Sequence, residues 1–311
     1  MGVRQAQRDP VGLEADLRGL SADLARGAEP RARPPLRGVP PVVLWAIGGA
    51  WLLALAATAT GKGPQLHHDA LIEGSLPFAV ALLLFVIAWQ AMIAAMMLPS
   101  TLPMVRLVAV TAGRQERPRL VMAAFIGGYA LIWTLFGYAA FCGDALVHAA
   151  VDATPWLSAR PWLIAGSTLV IAGAFQFSSL KDRCLRECRH PGSFLLAHYR
   201  GGEAGAFRLG RLHGLYCLGC CWALMLVMFA AGVAMLWWMA VLTALMVFEK
   251  TAQAGRRAVP IAGILLLAWG ALVLLHPGWL PQPFGGQESP PPSCGRGAAR
   301  WRCSRSRSSS R

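Results

Sequence analysis

Cys217, Cys220 and Cys221 place three thiols within five residues, directly ahead of an apolar run that carries Met225 and Met228. On a helix these positions are related by i,i+3 and i,i+4, so the three side chains meet on one face. Thiolate and thioether sulfurs are soft donors, which suit Cu(I) first and then zinc or an iron–sulfur cluster. A single cysteine is also a small hydrophobe that packs where two helices approach closely. Three of them around one glycine favour the ligand reading.

Further soft donors lie upstream. Cys184 and Cys188 are four residues apart, as are Cys217 and Cys221, so each pair can grip one ion from a single helical turn. Met92, Met96 and Met97 cluster ahead of Pro99, and Met225 lies four residues beyond Cys221. Met235, Met239 and Met246 could line the same seam, although methionine is also an ordinary gap-filler in apolar helices. Zinc would need four closed ligands, which the two cysteine pairs could supply across a gap; Cu(I) needs only two or three. His190, His198 and His213 could complete such a site or sit at its surface, and His67, His68 and Asp69 read as a solvated turn.

The elements that must position these donors are membrane helices. Of 311 residues, 56% are hydrophobic and 14% charged, far from the roughly one quarter charged of a soluble domain. The net charge of +14 does not point to nucleic acid, because the arginines lie between apolar runs rather than along one basic face. The first apolar run begins only after about forty residues, so no cleavable signal peptide is expected. Expected spans are 42–60, 76–98, 121–141, 162–180, 215–231, 233–248 and 259–275. The 34 apolar residues of 215–248 exceed one crossing, so a tight reversal is expected at Ala231, Gly232 and Val233. Pro99 and Pro103 disfavour continuing the second helix, and 181–212 reads as a hydrophilic loop. The expected fold is thus all-α, a polytopic bundle of about seven transmembrane helices. Its domains are a disordered or amphipathic segment 1–41, carrying Leu13, Leu17, Leu20 and Leu24 at helical spacing, a helical metal-binding domain 42–277, and a disordered Arg, Ser and Pro-rich tail 278–311.

Orientation follows from charge. With the N-terminus inside, the inner segments hold 21 Lys and Arg and the outer loops two, which places the N-terminus in the cytoplasm. Six arginines in the tail run against the rule for an odd number of spans. Alternating traversal brings the Met92 to Met97 cluster, Cys184, Cys188 and the Cys217 to Cys221 cluster to one membrane face. Reduced thiols persist in the cytoplasm, which keeps such ligands available. Glu249 and Lys250 read as the end of a span, so no ionisable residue is expected at mid-depth, which disfavours a proton-driven pump. A Gly-rich phosphate loop with lysine is also absent from the sequence.

The strings WQAMIAAMMLPSTLP (89–103), LKDRCLRECRHP (180–191), HGLYCLGCCWALM (213–225) and WWMAVLTALMVFEK (237–250) resemble a bacterial family of predicted metal-binding integral membrane proteins, a domain of unknown function whose members are described as copper chaperones. The resemblance covers roughly residues 78 to 275. It implies a polytopic inner-membrane domain handling a metal, copper above all, with roles carried to Met92, Met96, Met97, Cys184, Cys188, Cys217, Cys220, Cys221 and Glu249. Cys294 and Cys303 lie outside the matched strings and inherit no role.

The expected function is therefore a non-enzymatic holder or carrier of Cu(I), with zinc as the second metal. Cys217, Cys220 and Cys221 would be primary ligands, Cys184 and Cys188 a mobile second pair, and the methionines a route into the bundle. Its partners would be membrane lipid, the ion and a protein donor or acceptor of metal. Two alternatives stand beside it: a membrane thiol–disulfide oxidoreductase using Cys217 and Cys220, and an assembly factor for a copper enzyme.

Overall fold

The structure, a computed structural model, describes residues 38–60, 77–231 and 236–276. Nearly all of segment 1–41, the His67, His68 and Asp69 turn, the reversal after Ala231, Met235 and the tail 278–311 lie outside the described residues. Helix accounts for 88% of the described residues, with no strand among them. The order is α1 (Pro41–Ala59), α2 (Phe78–Ala112), α3 (Pro118–Asp152), a short α4 (Pro155–Ser158), α5 (Pro161–Phe175), α6 (Ser179–Arg189), α7 (Pro191–His198), α8 (Gly202–Ala231), α9 (Leu236–Thr251) and α10 (Gly255–Leu275).

Each of the seven expected spans has a helical counterpart. Five of the described helices, α1, α2, α3, α8 and α10, are long and apolar enough to cross a membrane, and α5 with α6 makes a sixth if that pair, bent by 63°, counts as one span. The described part of α9 spans 16 residues. The chain is an all-α helical membrane protein.

Two expectations about local structure are corrected. Pro99 and Pro103 lie inside α2, which continues to Ala112. Pro99 has no N–H to offer Ala95 O, and that vacated carbonyl instead accepts from Trp51 Nε1 of α1 at 3.0 Å. A neighbouring helix thus replaces the lost bond and the proline is tolerated in the helix interior. The stretch 181–212 is not a loop but α6, α7 and the first turns of α8. In α6, Lys181, Cys184 and Leu185 are buried and Cys188 half-buried, an i, i+3, i+4, i+7 stripe, while Asp182, Arg183, Arg186 and Glu187 take the other positions. After the turn at Gln176 and Phe177, the Ser178 hydroxyl accepts from Lys181 N at 3.1 Å and caps the new helix.

Close packing of α3 against α8 forms the centre of the bundle. A Cβ at Gly128 would collide with the Phe207 carbonyl and one at Gly210 with the Phe125 carbonyl, so only glycine permits this approach. Polar side chains fasten α2 to α3: Trp89 Nε1 donates to Trp133 O at 2.8 Å and Gln90 Nε2 to Thr134 Oγ1 at 2.6 Å. On the far side α5 meets α10 through Gly166, Gly173, Gly263 and Gly270. The core that results runs from Phe85 and Trp89 through the methionines to the cysteines of α8.

Candidate metal centre

The three cysteines of α8 are fully buried, and their helical spacing shapes what each sulfur can reach. Cys220 Sγ lies 3.1 Å and Cys221 Sγ 2.9 Å from the Cys217 carbonyl, one turn back along the same helix. Cys220 also meets Cys188 of α6, sulfur to sulfur, at 4.0 Å. Cys221 faces α2 and lies 3.7 Å from Met97 Sδ, which can accept a hydrogen bond from its thiol. Cys217 faces a different set of groups, with Tyr129 OH of α3 at 3.2 Å and Lys250 Nζ of α9 donating at 3.1 Å.

Sulfurs from α2, α6 and α8 therefore converge although up to 124 residues separate them in sequence. Cys184 belongs to the same face: its Sγ sits where a side chain at position 219 would start, 2.5 Å from an ideal Cβ there. Gly219 thus lets α6 lie against α8. Met92, Met96 and Met225 are buried in the same core, while Met97 is the methionine whose sulfur accepts from a thiol among the described residues. His213 is buried among the rings of Phe125, Tyr129 and Phe194 rather than at the sulfurs. His190 and His198 engage the carbonyls of Arg186 and Phe194 on their own helices.

Charged side chains of α6 and α9 frame the sulfurs. The segment carrying Cys184 and Cys188 is clamped. Lys181 Nζ reaches Glu249 Oε2 at 2.7 Å with both side chains almost fully buried, and Arg189 donates to the carbonyls of Glu249 and, at 2.8 Å, Ala252. Lys250 lies in the last turn of α9 and is buried there. It is 6% exposed, and its ammonium donates to Ser100 Oγ at 3.0 Å as well as to Cys217. Thr101 Oγ1 donates in turn to Tyr129 OH at 3.3 Å, so a polar group from each of α2, α3 and α9 borders the sulfurs.

Lys250, Tyr129, Ser100, Thr101 and Lys181 are the residues that sequence reasoning missed. For Lys250 a signal was there: Met239, Leu242, Thr243, Met246, Glu249 and Lys250 continue one buried helical stripe at spacings of three and four. Reading the pair Glu249 and Lys250 only as the end of a span left that stripe unread.

The donor set fits a soft ion. With a metal–sulfur bond of about 2.3 Å, two thiolates on one ion stand about 3.8 Å apart at a tetrahedral angle and about 4.6 Å when linear. The Cys188 to Cys220 separation of 4.0 Å falls inside that range. Among the described residues no three His, Cys, Asp or Glu donors are grouped around one ion-sized point, so the sulfurs are arranged by pairs.

Comparison with curated proteins gives no significant match, and neither does comparison with solved structures. Residues 86–273 match the family model of PpoB2, described as a copper chaperone, which is well over half of the 311-residue chain and contains Met97, Cys184, Cys188, Cys217, Cys220 and Cys221. The chain belongs to the PpoB2 copper chaperone family.

Proposed function

We propose that the protein is a membrane-embedded carrier of Cu(I), which it holds between Cys188 of α6 and Cys220 of α8 and exchanges with Cys221 and Met97. The observation that carries this reading is the sulfur pair at 4.0 Å, drawn from two different helices, with a second pair at 3.7 Å one residue along α8. Cu(I) accepts two and three sulfur ligands, so one thiolate can arrive before another leaves. The resemblance implies a bacterial inner membrane, and the charge distribution favours the N-terminus and these cysteines toward the cytoplasm, where thiols stay reduced. Cargo would pass to or from a protein partner, an arrangement that includes assembly of a copper enzyme. No catalytic role is assigned to any residue.

Metal content of the purified full chain tests the reading. Wild type loaded with Cu(I) under reducing conditions should retain about one ion per chain, and Cys220→Ser or Cys188→Ser should retain much less. Equal copper in all three proteins would remove the thiols as ligands.

A thiol–disulfide oxidoreductase is the second reading, and the 4.0 Å approach moves its reactive pair from Cys217 and Cys220 to Cys188 and Cys220. A redox enzyme would cycle between two thiols and a disulfide in step with a partner. A carrier would only be shielded from alkylation by its cargo.

A further inference from the structure

The ammonium of Lys250 has no task in the reading above, yet a buried cation is costly unless something compensates it. Carboxylates do not do so here. The neighbouring Glu249 is committed to Lys181 at 2.7 Å, and among the described residues no acidic side chain pairs with Lys250. Its partners are a hydroxyl, Ser100 Oγ at 3.0 Å, and a sulfur, Cys217 Sγ at 3.1 Å.

Resting on the assignment of the thiols to Cu(I), we propose that Lys250 is the fixed counter-charge of the loaded site and gives it a preference for a monovalent soft ion over a divalent one. Charge is decisive in a low-dielectric interior, and the count must include the ion itself. With Cys217 remaining a neutral thiol, the two ligand thiolates and Cu(I) carry one net negative charge, which the ammonium brings to zero. The same two thiolates with Zn(II) are already neutral, so the ammonium leaves a buried positive charge. A divalent ion regains neutrality only by recruiting a third thiolate, and no three such donors converge among the described residues. Lys250 is a positioning and specificity-determining residue, not a ligand: an ammonium has three donors and nothing with which to bind a metal. The buried stripe of α9 that includes Thr243 and Met246 points it inward.

The test compares Ag(I), a redox-inert stand-in for Cu(I), with Zn(II), each titrated into the detergent-purified full chain against a chromophoric chelator. Variants are Lys250→Met, Lys250→Gln and Lys250→Arg, with helicity and monodispersity checked before metal is added. The ratio of Ag(I) to Zn(II) affinity should fall by about tenfold or more in the two neutral variants and stay within about threefold of wild type in Lys250→Arg. A ratio unchanged in both neutral variants overturns the counter-charge. Loss of fold in both of them, while Lys250→Arg folds, also overturns it, since the charge would then serve the empty protein. Failure of wild type to bind Ag(I) or Cu(I) at all instead removes the copper assignment on which this one stands.

Discussion

Lys181 of α6 and Glu249 of α9 form an ion pair of 2.7 Å in which the two side chains are only 1% and 3% exposed. It ties the helix bearing Cys184 and Cys188 to the one bearing Lys250. Breaking one side leaves a lone buried charge, so Lys181→Met should lower stability by about 3–5 kcal/mol, whereas Lys181→Met with Glu249→Met should recover most of the loss. Thermal unfolding in detergent of both singles and the double measures this. Purely additive losses would show that the two side chains do not act as a pair.

Gly219→Ala should act on copper retention through geometry alone. The new methyl would start 2.5 Å from Cys184 Sγ, so that thiol must rotate out of the seam or α6 must move away from α8 and carry Cys188 with it. Overpacking of this kind costs about 1–3 kcal/mol. Cys184→Ala in the same chain removes the obstructing sulfur and should restore stability and copper content together. A Gly219→Ala protein that holds copper as well as wild type would mean that α6 does not set the site.

The proline in α2 gives a cycle that needs no metal. Trp51→Phe strands Ala95 O, a loss of about 1–3 kcal/mol for an unsatisfied buried carbonyl. Pro99→Ala hands that carbonyl an N–H of its own helix, so Trp51→Phe should cost clearly less in that background. Identical costs in the two backgrounds would show that the indole bond is incidental.

Copper affinity should fall as pH is lowered, because protons compete with the ion for each thiolate. The sign follows from the ligand form: thiolate binds and thiol does not, so acidification releases cargo and loading releases protons. Chelator competition from pH 8 to pH 6, with proton release read in a weakly buffered sample, checks both. Affinity independent of pH would favour thioether ligands, which do not titrate, and would move the site toward Met97 and its neighbours.

Much of this was legible in the chain. Hydrophobic runs and their punctuation located α1, α2, α3, α5, α8, α9 and α10 but not α4, α6 or α7, and the spacing of Cys217, Cys220 and Cys221 located the face on which the sulfurs gather. Pro99 misled because a proline's cost depends on whether the vacated carbonyl finds another donor, and Trp51 lies 44 residues before that carbonyl. The stretch 181–212 misled because its charges were summed instead of phased: Lys181, Cys184, Leu185 and Cys188 form an inward stripe beneath an exterior of Asp182, Arg183, Arg186 and Glu187. The partners of Lys250 could not be read at all, since Ser100 is 150 residues away and Cys217 is 33.

The clamp on α6 also sets an order of events at the ribosome. Cys184 to Cys221 are synthesised well before Glu249, the residue that fastens their helix, so a nascent chain shorter than about 250 residues carries its thiols uncaged in the translocating bundle. On the proposed reading, competence to receive an ion is thus acquired late, when α9 docks.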